Sequence, residues 1–461
     1  MNERYKASQF NVMVKIKNGD LIIRNLFSNT YVLIEKSMIQ KVNAILCGTG
    51  EKNEKIKELL IGKGMLVPEE MTEYQQVDAY RRKISHSSEN LDLTILPTDA
   101  CNFKCAYCFE SEGKSFMSDE TENRLIKFMD LSFKKYKTVY IQWFGGEPLL
   151  CKNQIRRIML KAKEFAKRDK VSLVAGITTN GYELDVETYK ELCRLGLIWI
   201  QVSIDGTKEI HNLQRPHKTN NDSFDKIIYN LKNIKNLTSP GVCKIYYRIT
   251  ISKQTLPYIN EILQNYKDDF SDDKRFCLSL QPVMDWGGTR IDGMREKLPM
   301  VDDTIKCLLK ASDLGLMPIG HHTQPSSGLI CESIRKNAYV VGPGNIVHAC
   351  PMAIYNVKED ALCRGIIGEL NENGKISITN WIQNEWMECQ PVLGEKCRKC
   401  KYYAICHGNV TCPYSSKFGG NLQESLCKKA IYDKYIPAEV IMKYRLREID
   451  TVLDNNILQG V

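Results

Sequence analysis

Three closely spaced cysteines carry the strongest chemical signal in the sequence. They lie in the run Cys101-Asn-Phe-Lys-Cys105-Ala-Tyr-Cys108, directly after the apolar stretch 91–96. Because the chain has 18 cysteines, only about 0.03 such C-x3-C-x2-C patterns are expected by chance. Three local thiolates can hold a 4Fe–4S cluster and leave one iron open, whereas structural zinc prefers four ligands at closed spacing. The spacing therefore predicts a metal centre and favours an iron–sulfur cluster over zinc.

The motif resembles the signature of the radical S-adenosylmethionine (SAM) superfamily, in which an aromatic residue, here Tyr107, precedes the last cysteine. The resemblance implies that the amino and carboxylate groups of SAM chelate the open iron. It also implies that the reduced cluster cleaves SAM to a 5′-deoxyadenosyl radical, which takes a hydrogen atom from a substrate. A flavodoxin or ferredoxin is the expected electron donor.

Three further segments at strand ends resemble parts of the SAM pocket in that family. They are Phe144-Gly-Gly-Glu-Pro148, Thr178-Thr-Asn-Gly181 and Ser203-Ile-Asp-Gly206. Their glycines allow a close approach of the backbone, and their polar groups suit the ammonium, ribose and carboxylate of SAM. Ordinary polar turns and a plain surface arginine are the alternatives. The cofactor-binding residues expected from the resemblance are Tyr107, Gly145, Gly146, Glu147, Asn180, Ser203, Asp205 and Arg215.

A second group of cysteines lies in the last third of the chain. Cys397, Cys400 and Cys406 form a C-x2-C-x5-C pattern, and Cys412 and Cys427 follow it. The pattern resembles the SPASM extension of radical SAM enzymes, which holds two auxiliary 4Fe–4S clusters. It departs from that extension twice, because five residues separate Gly344 from Cys350 and five separate Cys406 from Cys412. The usual gaps there are four and three.

The resemblance implies one auxiliary cluster on Cys397, Cys400, Cys406 and Cys427. A second is expected on Cys331, Cys350 and Cys412, with Cys363 or Cys389 as a candidate fourth ligand. A zinc ribbon at 397–412 is the alternative. The remaining cysteines stand singly and are expected to be buried or idle thiols: Cys47, Cys151, Cys193, Cys243, Cys277 and Cys307.

Hydrophobic periodicity assigns the region around the first cysteines to the α/β class. Strands and helices alternate through residues 91–320, which predicts a partial, TIM-like (β/α)6 barrel, with an open doubly wound sheet as the alternative. Ser118 and Asp185 are expected helix caps. Residues 1–90 are expected to form a small winged α+β module. Residues 321–435 are expected to form a cysteine-rich SPASM domain, and residues 436–461 a C-terminal helix that closes the chain. In either α/β architecture the chemistry is expected at the carboxyl ends of the strands.

Composition excludes several functional classes. The sequence has no apolar run long enough to span a membrane and no apolar signal core at its start, so a cytoplasmic protein is expected. A net charge of +9 in 461 residues is too mild to predict nucleic-acid binding. Since the cytosol keeps thiols reduced, the 18 cysteines predict metal ligation or burial rather than disulfides.

The segment before the first cysteines resembles leader-peptide recognition modules with the pyrroloquinoline quinone chaperone fold. The resemblance implies a ribosomally made precursor peptide whose leader binds as an added strand; a packing extension without a ligand is the alternative. The expected function is a peptide maturase that forms a thioether from a cysteine sulfur to a carbon atom. An enzyme of the anaerobic sulfatase-maturing type, oxidising Cys or Ser to formylglycine, and an iron–sulfur electron carrier are the alternatives. The sequence identifies no general base, although Asp285 and Glu332 are candidates.

Overall fold

The computed structural model describes residues 4–49, 53–110, 113–220, 222–237, 243–285, 290–319, 331–355, 365–388, 393–409 and 427–454. The chain divides into two compact units. The barrel unit consists of His86–Ile319 and Glu332–Met387, and the terminal unit consists of Met1–Ser85, Gly320–Cys331 and Glu388–Val461. Within the described residues, no helix is both long and apolar enough to cross a membrane.

The elements are numbered here in chain order. The described strands are β1 (Tyr5–Ala7), β2 (Asn11–Lys15), β3 (Leu21–Asn25), β4 (Thr30–Ile34), β5 (Leu66–Pro68), β6 (Asn90–Ile95), β7 (Thr138–Trp143), β8 (Ser172–Thr179), β9 (Leu197–Ile204), β10 (Lys244–Ile251), β11 (Phe276–Pro282), β12 (Ala338–Val341), β13 (Ile346–His348), β14 (Ile366–Leu370), β15 (Ile376–Ile378) and β16 (Val452–Leu453). The described α-helices are α1 (Ile39–Leu46), α2 (Glu54–Gly62), α3 (Glu73–Ser85), α4 (Asp119–Ser132), α5 (Lys152–Asp169), α6 (Val186–Arg194), α7 (Lys208–Gln214), α8 (Phe224–Lys235), α9 (Ile259–Phe270), α10 (Val301–Asp313), α11 (Ile382–Met387), α12 (Glu395–Arg398), α13 (Tyr403–Cys406) and α14 (Lys429–Arg445). Short 3₁₀ helices lie at Lys36–Met38, Phe133–Lys135, Pro148–Cys151, Leu256–Tyr258, Arg290–Lys297, Glu332–Ile334, Ala353–Tyr355 and His407–Asn409.

Six parallel strands in chain order form the centre of the barrel unit. Each strand from β6 to β11 pairs with the next one along the chain. A doubly wound sheet would reverse its strand order at a switch point, whereas a barrel adds each strand on the same side. The strand order therefore confirms the partial (β/α)6 barrel. The carboxyl ends of its strands, where the cysteine loop and the polar segments follow, lie at one edge of the sheet.

Alternation within the strands separates the two faces of this sheet. In β9, the buried Ile200, Val202 and Ile204 alternate with Gln201 and Ser203. Because successive side chains of a strand point to opposite faces, the apolar set packs under the helices and the polar set faces the interior of the barrel. The caps expected at the starts of α4 and α6 are confirmed, since the side chains of Ser118 and Asp185 accept backbone N–H bonds there.

The sheet continues beyond its first strand. Strand β12 pairs parallel with β6, and β13, β14 and β15 follow as an antiparallel meander. Helix α11 follows β15 and its Gln383 side chain donates hydrogen bonds to the carbonyl oxygens of Arg335 (2.7 Å) and Ala338 (2.8 Å). This extension places Cys350 just after β13, in a buried position.

The terminal unit contains the strands and helices expected at the start of the chain. Strands β2, β3 and β4 form an antiparallel sheet, and β1 pairs with β5. The helix expected at 436–461 instead spans Lys429–Arg445; the chain then turns at Arg447, with φ at 56°, and adds β16 to the edge of β4. Apolar residues of β2 share one core with α14, so the two ends of the chain form a single compact unit.

Candidate active site

Backbone hydrogen bonds hold the first cysteine loop in place. The segment after α7 runs beside the loop: Lys104 N–H donates to Pro216 O (2.9 Å), and Ala106 N–H donates to Gln214 O (2.8 Å). Phe103, which lies between the first two cysteines, is buried and packs edge-on against the ring of His217. The loop is therefore fixed by a segment more than a hundred residues later in the chain.

Cys101, Cys105 and Cys108 line one pocket. Burial raises the pKa of Cys101 to about 12 and also raises the pKa values of Cys105 and Cys108. These side chains therefore stay thiols until a metal binds, and metal binding must release protons. Among the described residues, no three Cys, His, Asp or Glu side chains converge on a position for a single metal ion. Three soft thiol donors around one pocket fit a 4Fe–4S cluster better than they fit structural zinc, which prefers four ligands.

The Gly145-Gly146 turn allows the loop to pass close to the end of β7. Gly145 has φ at +99°, and a Cβ atom on Gly146 would lie 2.2 Å from the carbonyl oxygen of Ala100. Gly146 N–H donates to Thr98 O (3.1 Å), and Glu147 N–H donates to Ala100 O (2.9 Å). These glycines are needed for contact between two backbone segments. Their expected contact with SAM stays a prediction.

The carboxylate of Glu147 ties the ends of two neighbouring strands together. It accepts hydrogen bonds from Thr179 Oγ1 (2.7 Å), Asn180 N–H (2.7 Å) and Leu149 N–H (2.9 Å). Burial raises its pKa, although these donors act in the opposite direction. Asn180 in turn donates from Nδ2 to Asn102 Oδ1 (2.7 Å), next to the first cysteine. Each of these Glu147 bonds lies within the protein, so the residue acts as a brace under the cysteine loop.

Tyr107, Asp205 and Arg215 form one buried network. The Tyr107 hydroxyl donates to Asp205 and accepts from Arg215 Nη1 (2.8 Å). Arg215 is only 8% exposed, so it is not a plain surface arginine. Burial raises the pKa of Asp205, while the charge of Arg215 lowers it. Asp205 Oδ1 and Arg215 Nε have no hydrogen-bond partner among the described residues. Buried polar atoms without partners provide capacity for a polar ligand.

The sequence did not single out Arg248, which lies beside this network. It is on β10, level with Ser203 of β9. Burial lowers the pKa of Arg248, and the charges of Tyr107 and Asp205 oppose that effect. Its Nε atom has no hydrogen-bond partner among the described residues. A charged residue in the apolar run Lys244–Ile251, on the inward face of a barrel strand, is the signal that would have identified it.

In the terminal unit, three of the later cysteines pack in one core. Cys397, Cys400 and Cys406 belong to the cluster that also holds Tyr432 of α14. Burial raises the pKa of Cys397, and the nearby thiols of Cys427 and Cys400 raise it further. The structure therefore brings together the cysteines expected to hold one auxiliary cluster. Thiolate donors in such a group fit an iron–sulfur cluster.

The second auxiliary site is not tested by the structure. Cys412, Cys363 and Cys389 lie outside the described residues. Cys331 belongs to the terminal unit and Cys350 to the barrel unit. Their joint ligation of a cluster stays a prediction.

The two candidate bases differ in their surroundings. Asp285 follows β11 and forms an ion pair with Arg295 (3.1 Å). Burial raises the pKa of Glu332, and the nearby Asp92 raises it further. Neither observation assigns either residue a role in catalysis.

Comparison with known proteins identifies the class of enzyme. Residues 95–264 match the family description "Radical SAM superfamily". Residues 95–264 therefore form a radical SAM domain. The match begins at the end of β6 and includes the cysteine loop, the Glu147 brace and the Tyr107–Asp205–Arg215 network of this radical SAM domain.

Several relatives share much of the chain at low identity. A cysteine-type anaerobic sulfatase-maturating enzyme of Clostridium perfringens (strain 13 / Type A) is 21% identical over 370 residues, which cover 72% of this chain and 92% of the relative. The Fe-coproporphyrin III synthase of Methanosarcina barkeri (strain Fusaro / DSM 804) is 29% identical over 173 residues, 37% of this chain and 40% of that protein. A solved structure described as native anSMEcpe with bound AdoMet and Cp18Cys peptide has a TM-score of 0.55 at 18% identity, covering 78% of this chain and 100% of that one. At this identity the structural likeness shows the fold.

Proposed function

We propose that this radical SAM enzyme matures a ribosomally synthesised peptide and closes a thioether between a cysteine sulfur and a carbon atom of another residue. The observation that carries the proposal is a small sheet, β16–β4–β3–β2, whose outer strand β2 has an open edge with no neighbouring strand among the described residues, in addition to a radical SAM domain. An iron–sulfur electron carrier would not need the Tyr107–Asp205–Arg215 network, whose unpartnered atoms suit a polar ligand.

The open edge belongs to β2. Strand β16 covers the edge of β4, since Leu33 N–H donates to Thr451 O (2.9 Å) and Glu35 N–H donates to Leu453 O (3.0 Å). On β2, Leu26 N–H bonds Phe10 O and Ile16 N–H bonds Asp20 O, so the even-numbered residues face β3. By alternation, the backbone groups of Met13 and Lys15 face outward. An extended leader peptide added there would gain main-chain hydrogen bonds.

The cysteines and the buried polar network have separate roles around the cofactors. Cys101, Cys105 and Cys108 would hold the 4Fe–4S cluster to which SAM binds, and the later cysteines would hold two auxiliary clusters. When bound, the reduced cluster and SAM supply a 5′-deoxyadenosyl radical that removes a hydrogen atom from the peptide. Arg215 and Asp205 orient polar groups of the cofactor, and the fixed loop keeps the reacting atoms in place. A flavodoxin or ferredoxin would deliver the electrons.

Formylglycine formation is the second candidate, and the relatives favour it. The sulfatase-maturating enzyme of Clostridium perfringens is matched over 92% of its length. However, about a fifth of this chain lies outside the aligned anSMEcpe structure, which covers 78% of it. An additional peptide-binding module would account for that remainder. The two reactions give different products, because a thioether retains the cysteine sulfur, whereas formylglycine from cysteine loses sulfur and gains an aldehyde.

One anaerobic experiment tests the enzyme and distinguishes the reactions. The reconstituted protein, SAM and a reductant are incubated with the Cp18Cys peptide or with the peptide encoded by a short cysteine-rich reading frame beside the gene. We expect 5′-deoxyadenosine together with a peptide that lacks two hydrogen atoms, retains its sulfur and does not react with thiol reagents. An aldehyde that reacts with a hydrazide would instead establish formylglycine formation. The Cys101→Ala/Cys105→Ala/Cys108→Ala variant is the control and should produce neither.

The open edge has its own test. Met13→Pro removes an outward N–H group from an edge strand, where proline is tolerated, while Met13→Ala keeps that group. We expect the proline variant to lose at least about tenfold in affinity for the cysteine-rich precursor, equivalent to about 1.4 kcal/mol. SAM cleavage without peptide should remain unchanged. Equal affinities for the two variants would exclude β2 as the docking edge without excluding the enzyme assignment.

A further inference from the structure

A short segment after the last barrel strand packs against the first cysteine loop. Ile291 and Met294 of the 3₁₀ helix Arg290–Lys297 are buried, and they form one apolar cluster with Ala106 and Tyr107 of the loop. The segment is far from the cysteines along the chain, and the fold brings the two together. The loop is therefore supported on a second side, in addition to its contact with the segment after α7.

Hydrogen bonds to the chain just after β10 fix this segment further. Lys253 N–H donates to Lys297 O (2.8 Å), and the Lys253 ammonium group donates to Glu296 O (2.8 Å). These bonds hold one end of the 3₁₀ helix, and its apolar residues hold the middle. The backbone of Arg290, at the start of the helix, is thereby kept beside the cysteine loop.

Arg290 lines the same pocket as the three cysteines of the loop, and Glu110 lines it as well. The other charged residues in the lining are Asp99 and Lys218. Burial raises the pKa of the Cys105 thiol; the charges of Arg215 and Arg290 lower that pKa, whereas the charge of Glu110 raises it further. Arg290 and Glu110 therefore act with opposite signs on negative charge at the sulfur atoms.

The charge of the expected cluster gives this arrangement a consequence for reduction. A 4Fe–4S core held by three thiolates carries net negative charge, and reduction adds one more electron. The potential of such a cluster depends on net charge, hydrogen bonds to its sulfurs and solvent exposure. A fixed cation nearby stabilises the more negative, reduced form, and its effect grows as water is excluded. Since the reduced cluster is the form that cleaves SAM, a cation in this pocket would favour the reactive state.

We propose that Arg290 stabilises the reduced form of the 4Fe–4S cluster on the first cysteine loop and thereby raises its reduction potential. This role rests on the proposed function, which places the cluster on those cysteines. The electron comes from the flavodoxin or ferredoxin donor. Arg290 shifts the equilibrium of that transfer through its charge, and no bond forms or breaks at its side chain. Glu110 acts in the opposite direction.

A redox titration of the cluster-loaded enzyme, followed by electron paramagnetic resonance, tests this role. The relevant signal is the one that the Cys101→Ala/Cys105→Ala/Cys108→Ala variant lacks. For Arg290→Gln we expect the equilibrium constant of one-electron reduction to fall about tenfold, which lowers the midpoint potential by about 59 mV. Arg290→Lys keeps the charge and should restore most of the wild-type potential. Glu110→Gln should raise the potential.

Arg295→Gln is the matched control, because it removes the same charge from the same segment. Arg295 is exposed and pairs with Asp285 (3.1 Å) and Asp292 (3.1 Å), so we expect its loss to leave the potential unchanged. A segment that only supports the loop would shift the potential equally in Arg290→Gln and Arg290→Lys, and that result would overturn the role of Arg290.

Two further outcomes separate this role from the cluster assignment. An unchanged potential in an Arg290→Gln variant with full iron content would overturn the role of Arg290 alone. If the wild type lacks the signal, the cluster assignment fails and this role fails with it. Should Arg290→Gln lose its iron, the Glu110→Gln variant decides: a higher potential supports control by the charges of the pocket, and an unchanged potential overturns it.

Discussion

The Glu147 brace leads to a prediction that separates a structural role from a cofactor-binding role. Glutamine at this position keeps one carbonyl oxygen, which can still serve Leu149 N–H and Thr179 Oγ1. Its amide group then faces Asn180 N–H, which donated to the second carboxylate oxygen. A buried donor left opposite another donor costs about 1–3 kcal/mol. Since the glutamine also avoids the burial of a charge, we expect Glu147→Gln to lower the free energy of unfolding of the barrel unit by a net amount of about 2 kcal/mol.

Thermal unfolding under anaerobic conditions measures this effect. For a domain of this size, a loss of about 2 kcal/mol lowers the Tm of the barrel unit by about 4–8 °C. Glu183→Gln is the matched control, because Glu183 forms a more exposed pair with Lys152 at 3.5 Å. Glu183→Gln should lower the free energy of unfolding by less than about 1 kcal/mol. SAM affinity, measured by equilibrium dialysis at a temperature where both variants are folded, should change little.

The opposite pattern would refute this reasoning. A Glu147→Gln variant with an unchanged Tm and about tenfold weaker SAM binding would show that the carboxylate mainly serves the cofactor. The brace interpretation requires that the loss of stability exceed the loss of affinity.

Three further predictions concern other buried ionisable groups. Glu439→Gln removes the negative charge that pairs with the fully buried Arg24, so we expect the free energy of unfolding of the terminal unit, measured in urea, to fall by about 3–5 kcal/mol. The control Glu54→Gln, at an exposed pair with Lys57, should lower it by less than about 1 kcal/mol. Equal losses of stability in the two variants would contradict the role of burial. Burial lowers the pKa of His211 well below 6.5, so the unfolded state takes up a proton that the folded state refuses. Stability should therefore fall as the pH drops below about 6.5, by about 1.4 kcal/mol one unit lower, and His211→Asn should remove that part of the pH dependence of the Tm. Arg248→Met removes a guanidinium whose buried Nε atom has no hydrogen-bond partner among the described residues, so we expect a higher Tm together with at least about tenfold slower SAM cleavage or peptide turnover. A higher Tm with unchanged turnover would assign Arg248 no ligand.

The barrel could be predicted from the sequence because its signals are local. Alternation of apolar residues, Ser118 and Asp185 at helix starts, and polar segments at strand ends each depend on a few consecutive residues. The order of the parallel strands then follows from short right-handed connections. The same locality made the Cys101–Cys108 motif readable, since its three sulfurs share one loop.

Contacts between distant segments could not be predicted in this way. The sequence suggested that Glu147 meets the cofactor, and the structure shows three protein donors around it. The sequence did not point to Arg248, because the role of this residue depends on which face of β10 lines the barrel. Residues 436–461 were expected to form one helix, but the end of that segment pairs with β4.

The sequence by itself determined the radical SAM family of residues 95–264 and the succession of strands and helices, because spacing along the chain encodes both. Only the tertiary structure decided which buried groups meet: Tyr107 with Asp205 and Arg215, and Glu147 with two strand ends. The physical reason is that a buried polar group must find a partner in space, and the folded backbone selects that partner from residues far apart in the chain.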